Sequence, residues 1–155
     1  MELNELIPAF AAKLEIVGLE ARNGVCALEI DGIPLEIVET AGGKALVTSA
    51  IIGRPPLDRP DAFLKLLLEA NTETLGPQGA AFGMLPDTGE VILQWRVTTR
   101  DLELDGFCAE LEAFVNQIEQ WRLALENFRP AAEEAVAREE EAPALGLPGS
   151  GFISV

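Results

Sequence analysis

The sequence predicts an α+β fold: a helix, a three-stranded antiparallel meander, a second helix, two further strands and a long C-terminal helix. Two observations predict it. Apolar residues recur every three or four positions in three segments, which is typical of amphipathic helices. Between these segments, apolar and polar residues alternate in short runs that end at Gly-rich or Pro-rich turns, which is typical of strands.

The first helix is predicted from helical spacing that continues as far as Val17, and Gly18 is its expected stop. Pro8 falls within the first two turns, where a missing backbone donor costs least. The apolar residues of this stripe are Leu3, Leu6, Ile7, Phe10, Leu14 and Val17.

Three strands follow, at residues 25–30, 33–39 and 44–52. Asp31-Gly32 is typical of a tight hairpin turn that requires positive φ. Gly42-Gly43 turns the chain again, and the prolines after Gly53 end the third strand. Alternation in the second strand places Ile33, Leu35 and Ile37 on one face.

The second helix, residues 59–72, has an unusually wide apolar surface. Asp58 can cap it and Pro60 suits its first turn. Leu64 and Leu68 extend the apolar stripe beyond Phe63 and Leu67, so the helix needs cover on more than one side. Either the sheet of the same domain covers all of it, or a second subunit covers part.

Two further strands and a long helix complete the pattern. The strands are predicted at residues 81–85 and 90–98, with Trp95 and Ile92 on opposite faces of the second. The helix at residues 104–128, at about 1.5 Å per residue, spans about 37 Å. It therefore packs across its own sheet or extends to a partner. Residues 1–128 form the predicted domain.

Residues 129–155 are predicted to be an acidic, disordered tail, because they are rich in Ala, Glu and Pro. The last five residues are apolar again, and are either a loose end or a docking motif.

The formal net charge of −15 disfavours nucleic acid and anionic membranes as partners and favours a basic or amphipathic polypeptide. Solubility alone is the other explanation of the charge. No run of 18 or more apolar residues is present, so membrane insertion is not expected. The first residues also lack the basic and apolar regions of a secretory signal.

The residues for most catalytic chemistry are missing. The chain has no histidine and no tyrosine, which removes the commonest general base and the usual zinc ligand. Gly42-Gly43-Lys44 resembles the end of a phosphate loop, but Ala45 replaces the required Ser or Thr. No pair of carboxylates stands out. We therefore predict no enzyme activity, no catalytic residue, no metal site and no cofactor.

The two cysteines, Cys26 and Cys108, lie in apolar patterns. Buried free thiols in a reducing cytoplasm are expected, with a Cys26–Cys108 disulfide as the alternative.

Several segments together resemble a known family. They are the amphipathic start at residues 6–14, the apolar helix at 62–71, the segments 79–84 and 87–93, and the closing helix with Trp121. Over about residues 3–128 the sequence resembles the class I chaperones of bacterial type III secretion, the Tir chaperone family.

The resemblance implies a cytoplasmic bacterial homodimer that binds the N-terminal region of a secreted effector in extended form and keeps it competent for secretion. The secretion ATPase is a further implied partner. The alternative is an α+β regulatory or scaffold domain that binds another protein outside secretion. The expected cargo-binding residues are Leu6, Phe10, Leu14, Leu28, Ile30, Leu35, Ile37 and Val47. The expected dimer interface contains Phe63, Leu64, Leu67, Leu68, Ile92 and Trp95.

Overall fold

Three helices and one five-stranded antiparallel sheet form the part of the chain that the computed structural model describes, residues 1–40, 42–74 and 79–128. In chain order the elements are α1 (Leu3–Lys13), β1 (Val25–Ile30), β2 (Ile33–Glu39), β3 (Ala45–Gly53), α2 (Pro60–Thr74), β4 (Ala80–Met84), β5 (Val91–Thr98) and α3 (Leu104–Glu126). The predicted α+β class and the order of its elements are confirmed. The predicted tail, residues 129–155, lies outside the described residues.

The strands lie in the order β1-β2-β3-β5-β4, and every neighbouring pair is antiparallel. The predicted meander β1–β2–β3 forms one side of the sheet. The second hairpin joins it through β5, and β4 takes the outer position. The two edges of the sheet are therefore β1 and β4.

One face of the sheet forms the core. The register places Ile37, Thr48, Trp95 and Ala80 side by side across four strands, and all four are buried. Helices α1 and α3 cover this face through aromatic packing. The Trp95 ring stacks on Phe107 at 5.7 Å between centroids, and Phe107 meets Phe10 edge-on at 5.9 Å. These contacts fix both helices on the sheet.

The first helix ends earlier than its sequence pattern predicts. It stops at Lys13, and the N–H of Leu14 caps it by donating to the C=O of Phe10 at 3.1 Å. Glu15 then adopts a positive φ of 56°, which breaks the helix. Val17 is 98% exposed. The predicted stop at Gly18 is wrong because periodicity alone does not show where the supporting surface ends.

Strands β1 and β2 have the predicted bounds, and the remaining boundaries differ from the predicted ones by one or two residues. Helix α2 continues to Thr74, and α3 ends at Glu126 rather than at residue 128. Strands β3 and β4 are each shifted by one residue. Such shifts are expected, because helix and strand ends fray.

Helix α3 is tied to β3 by Arg122. The β2–β3 pairing begins at Glu36 opposite Ser49, so in the same register Pro34 would lie opposite Ile51. Proline has no N–H to donate to the Ile51 carbonyl. The Arg122 guanidinium supplies the missing donors, with Nε at 3.1 Å and Nη2 at 2.8 Å from that oxygen.

Thr48 is the one buried polar residue of the described core, and its Oγ1 makes no hydrogen bond there. Thr48→Val replaces this hydroxyl with a methyl group of similar shape. We expect the free energy of unfolding to rise by about 1 kcal/mol, since the substitution removes an unsatisfied buried hydroxyl. Urea denaturation measures the change, with Thr98→Val on the exposed face of β5 as the control. A less stable Thr48→Val protein would contradict this account.

Candidate peptide-binding site

Strand β1 leaves backbone hydrogen-bonding groups free at one edge of the sheet. The N–H of Glu39 donates to the C=O of Gly24 at 2.8 Å, so the peptide groups at even positions of β1 face β2. Those of Ala27 and Glu29 face away from the sheet and make no hydrogen bond within the described part of the chain. This edge can therefore accept another strand.

The start of β1 is closed locally. Arg22 and Val25 exchange two backbone hydrogen bonds of 2.8 and 3.0 Å. The open stretch is consequently the second half of the strand, which leads to the turn at Asp31.

An apolar cavity of about 280 Å³ lies beside the end of β1. It opens between the end of α1, the β1–β2 turn and the first half of α3. Its lining is mostly apolar and includes the half-buried Ile30, together with a few polar groups. The lining residues are Phe10, Leu14, Ile30, Asp31, Cys108, Leu111, Glu112, Val115 and Asn116.

An ion pair links the two helices that contribute residues to this cavity. The Lys13 ammonium donates a hydrogen bond to the Asp105 carboxylate, joining the last turn of α1 to the first turn of α3. This hydrogen bond raises the pKa of Lys13 and lowers that of Asp105. The stabilisation is therefore present at neutral pH and is lost as the pH falls through the lowered pKa of Asp105. Because both groups are solvent-accessible, its contribution is small.

The two thiols differ in environment. Cys26 is only 1% exposed, and burial raises its pKa, so its reactive thiolate form is disfavoured. Cys108 is half-buried and lines the cavity. Both cysteines are free.

The predicted cargo-binding residues do not all lie at one site. Three of them, Phe10, Leu14 and Ile30, meet at the cavity. Leu14 is 51% exposed, whereas Leu28 is half-buried on the same face as Ile30. Val47 is half-buried on the opposite face of the sheet.

The remaining three are core residues, and so is Phe10, which borders the cavity but is only 2% exposed. Leu6, Leu35 and Ile37 are buried within this chain and offer no surface to a cargo. Their inclusion is corrected by the register, which turns Leu35 and Ile37 towards α1 and α3 instead of towards solvent.

Three of the predicted dimer residues are likewise core residues. Phe63, Leu67 and Trp95 are buried in the core of the chain itself, so they leave no surface for a second copy. Leu64 and Ile92 are half-buried, and Leu68 is 69% exposed. Only these three remain available as interface residues.

The outer face of the sheet carries further exposed apolar side chains. Val25, Val38 and Val47 form one row across β1, β2 and β3, and Ile51 pairs with Ile92 in another. Val25 and Ile51 are exposed. This face is the opposite of the one that α1 and α3 cover.

Cys108, Leu111 and Val115 line the cavity but are absent from the predicted site. They belong to the apolar stripe of α3, so the sequence identifies them as apolar without showing which part of the stripe borders a cavity. The early end of α1 decides that. The free peptide groups of Ala27 and Glu29 have no sequence signal.

Within the described residues, no group of histidine, cysteine or acidic side chains is arranged to hold a metal ion. No helix in this part of the chain is long and apolar enough to cross a membrane.

The fold is similar to that of several solved structures. The first, from the ExsC–ExsE complex, has a TM-score of 0.68 at 22% identity and covers 85% of this chain and 99% of that chain. The second, from the HopA1–SchA chaperone–effector complex, has a TM-score of 0.67 at 20% identity, covering 77% and 92%. The third, the Yersinia pestis type III secretion chaperone SycH with a YscM2 fragment, has a TM-score of 0.62 at 19% identity, covering 76% and 98%.

A comparison with curated protein sequences finds no match. The sequence profile of the Tir chaperone protein (CesT) family matches residues 5–122. Since this match covers most of the chain and the fold agrees with it, the chain belongs to the Tir chaperone protein (CesT) family.

Proposed function

We propose that this chain is a type III secretion chaperone that holds the N-terminal region of a secreted effector in extended form. Family membership and the similar fold of known chaperone–effector complexes support the proposal. The single observation that carries it is the open β1 edge beside an apolar cavity. An edge and a pocket together are what recognition of an extended peptide requires.

The proposed binding mode uses backbone and side chains for different purposes. The peptide groups of Ala27 and Glu29 bond to the backbone of the added strand, which is independent of cargo sequence. Side chains of a strand alternate between its two faces. Those on the inner face reach the cavity beside Ile30 and Leu14, so this position selects apolar residues.

The charge around the cavity adds a preference. Asp31 and Glu112 line it, Glu29 lies on β1, and Lys13, next to Leu14, is already paired with Asp105. An apolar cargo segment with basic flanking residues is therefore favoured. Binding of this kind needs no catalytic group and no cofactor. We place the protein in the bacterial cytoplasm, with the secretion ATPase as the receiver of the cargo.

The cavity is tested by placing a charge at its mouth. Leu14→Glu introduces a carboxylate where apolar side chains enter, and the exposed position lets the domain fold normally. We expect the variant to capture at least about tenfold less of the protein that co-purifies with wild type, since an unpaired charge in an apolar contact costs more than about 1.4 kcal/mol. Quantitative mass spectrometry of pull-downs from the source bacterium measures this.

Val17→Glu is the matched control, because Val17 is fully accessible and lies outside the cavity. It should capture as much as wild type. The captured protein should be a secreted one. Equal capture by Leu14→Glu would exclude the cavity from cargo binding.

Cys108 reports on the same site without mutation. Because it lines the cavity, bound cargo should slow its alkylation by iodoacetamide severalfold, whereas the buried Cys26 should react slowly with or without cargo. Mass spectrometry of the two cysteine peptides follows both rates. If cargo leaves the Cys108 rate unchanged, the cargo binds elsewhere.

We also propose that the chain forms a homodimer through the exposed side of α2. Leu64 and Leu68 lie one turn apart on this side, and Leu68 is largely exposed although it is apolar. Leu64→Glu with Leu68→Glu would place two carboxylates in an apolar interface, at a cost of several kcal/mol. We expect light scattering to show a dimer for wild type and a folded monomer for the double variant.

Leu123→Glu is the control for this experiment, because Leu123 is an exposed leucine on α3. It should remain dimeric. A monomeric wild type, or a double variant that is still a dimer, would refute this interface.

A further inference from the structure

The second edge of the sheet, strand β4, is occupied by one side chain of α2. Oδ1 of Asn71 accepts the N–H of Phe82 at 2.7 Å, and Nδ2 of the same amide donates to the C=O of Phe82 at 3.3 Å. Asn71 therefore gives Phe82 both hydrogen bonds that a neighbouring strand would give.

The position of Phe82 within β4 determines whether another strand can pair with this edge. Because its peptide groups point away from β5, those of Ala80 and Met84 do so as well, while Ala81 and Gly83 face β5. Asn71 thus occupies the middle of three outward-facing positions. A strand that paired with β4 would bond to neighbouring outward-facing residues. With Phe82 occupied, Ala80 and Met84 are separated, so no two neighbouring outward-facing residues remain free. At β1, by contrast, the neighbouring outward-facing residues Ala27 and Glu29 both lack a backbone partner within the described part of the chain.

Both partners of this contact are anchored. Phe63, Leu67 and Asn71 follow one another at four-residue spacing on α2, and the first two are buried. The Phe82 ring packs edge-on against Trp121 at 4.6 Å between centroids. The amide is therefore held in place by packing on the same side of the helix.

The sequence of β4 itself provides no protection against pairing with another chain. Its five residues, Ala80-Ala81-Phe82-Gly83-Met84, contain no charge and no proline. Exposed edge strands of this kind pair with other chains, and proteins usually block them with charges, proline or a covering element.

We propose that Asn71 closes the β4 edge against strand addition, by an extended cargo or by β4 of another copy, and so directs the cargo to β1. The consequence for cargo rests on the proposed function, whereas the closure itself is a property of this chain alone. Asn71 thereby acts as a specificity-determining residue that never contacts the cargo.

Amide hydrogen exchange, followed by NMR on the protein without cargo, tests the closure directly. In wild type the Phe82 amide should exchange slowly although it lies on an edge strand, and the amides of Ala27 and Glu29 should exchange rapidly. The same protection of Phe82 should persist in the Leu64→Glu, Leu68→Glu variant, because the bond lies within one chain. A Phe82 amide that exchanges as fast as that of Ala27 would overturn the proposal.

Asn71→Leu then removes both hydrogen bonds while keeping a side chain of similar size and branching. We expect exchange of the Phe82 amide to become roughly tenfold faster, because the Phe82 N–H loses its one hydrogen bond. Sedimentation velocity should also show concentration-dependent species larger than those of wild type, formed through the opened edge.

Thr72→Ala is the matched control, because Thr72 lies next to Asn71 and its hydroxyl bonds to the C=O of Glu69 within the helix. It should behave as wild type. Asn71→Leu that associates no more than Thr72→Ala would contradict the closure. If Asn71→Leu does not fold, the comparison of Phe82 and Ala27 amide exchange in wild type still tests the closure. Since neither measurement uses cargo, failure here leaves the cargo proposal standing, and failed cargo capture leaves the closure standing.

Discussion

The packing of α1 and α3 on one face of the sheet is the constraint on which the other features depend. Trp95 lies at the centre of the buried face, and the Phe107 ring links it to Phe10 of α1. This arrangement covers the middle of the sheet completely. Near the end of β1 the cover stops, since α1 ends at Lys13. The cavity beside Ile30 is the space that remains.

The two edges of the sheet differ in how far their peptide groups are hydrogen-bonded, because different elements lie beside them. Beyond the second half of β1 the described chain places no further strand or side-chain amide, so the peptide groups of Ala27 and Glu29 stay free. Beyond β4 lies α2, whose Asn71 satisfies Phe82. A second open edge would offer an extended chain another place to pair. In the described residues, the open β1 edge beside an apolar cavity gives the proposed binding site a defined position.

The proposed binding mode needs no reactive group. In that mode, strand addition uses main-chain hydrogen bonds, which every cargo segment can form, and the cavity adds a requirement for apolar side chains. The acidic groups around the cavity then favour cargo with basic residues. A chain without histidine or a metal-binding cluster in its described part can perform this role, because the role is to hold a polypeptide and not to change it.

The sequence by itself determined the order and type of the elements. The alternation of Ile33, Leu35 and Ile37 and the Asp31-Gly32 turn are local signals, so the β1–β2 hairpin follows from them directly. It also determined the acidic charge and the missing catalytic residues. It could not separate core from site, because Leu6, Phe63 and Trp95 have the same apolar character as Leu14, Leu68 and Ile92.

Only the tertiary structure decided which of these side chains stay uncovered. Leu14 follows Phe10 at helical spacing, but the helix ends before it and no element of the described chain buries it fully. The pairing of β5 with β3 places β4 at the edge, and the order of strands along the chain does not reveal this. The role of Asn71 arises from a contact with a strand eleven residues away. Local patterns specify which residues are apolar or polar, whereas edges and cavities exist only after distant segments have packed together.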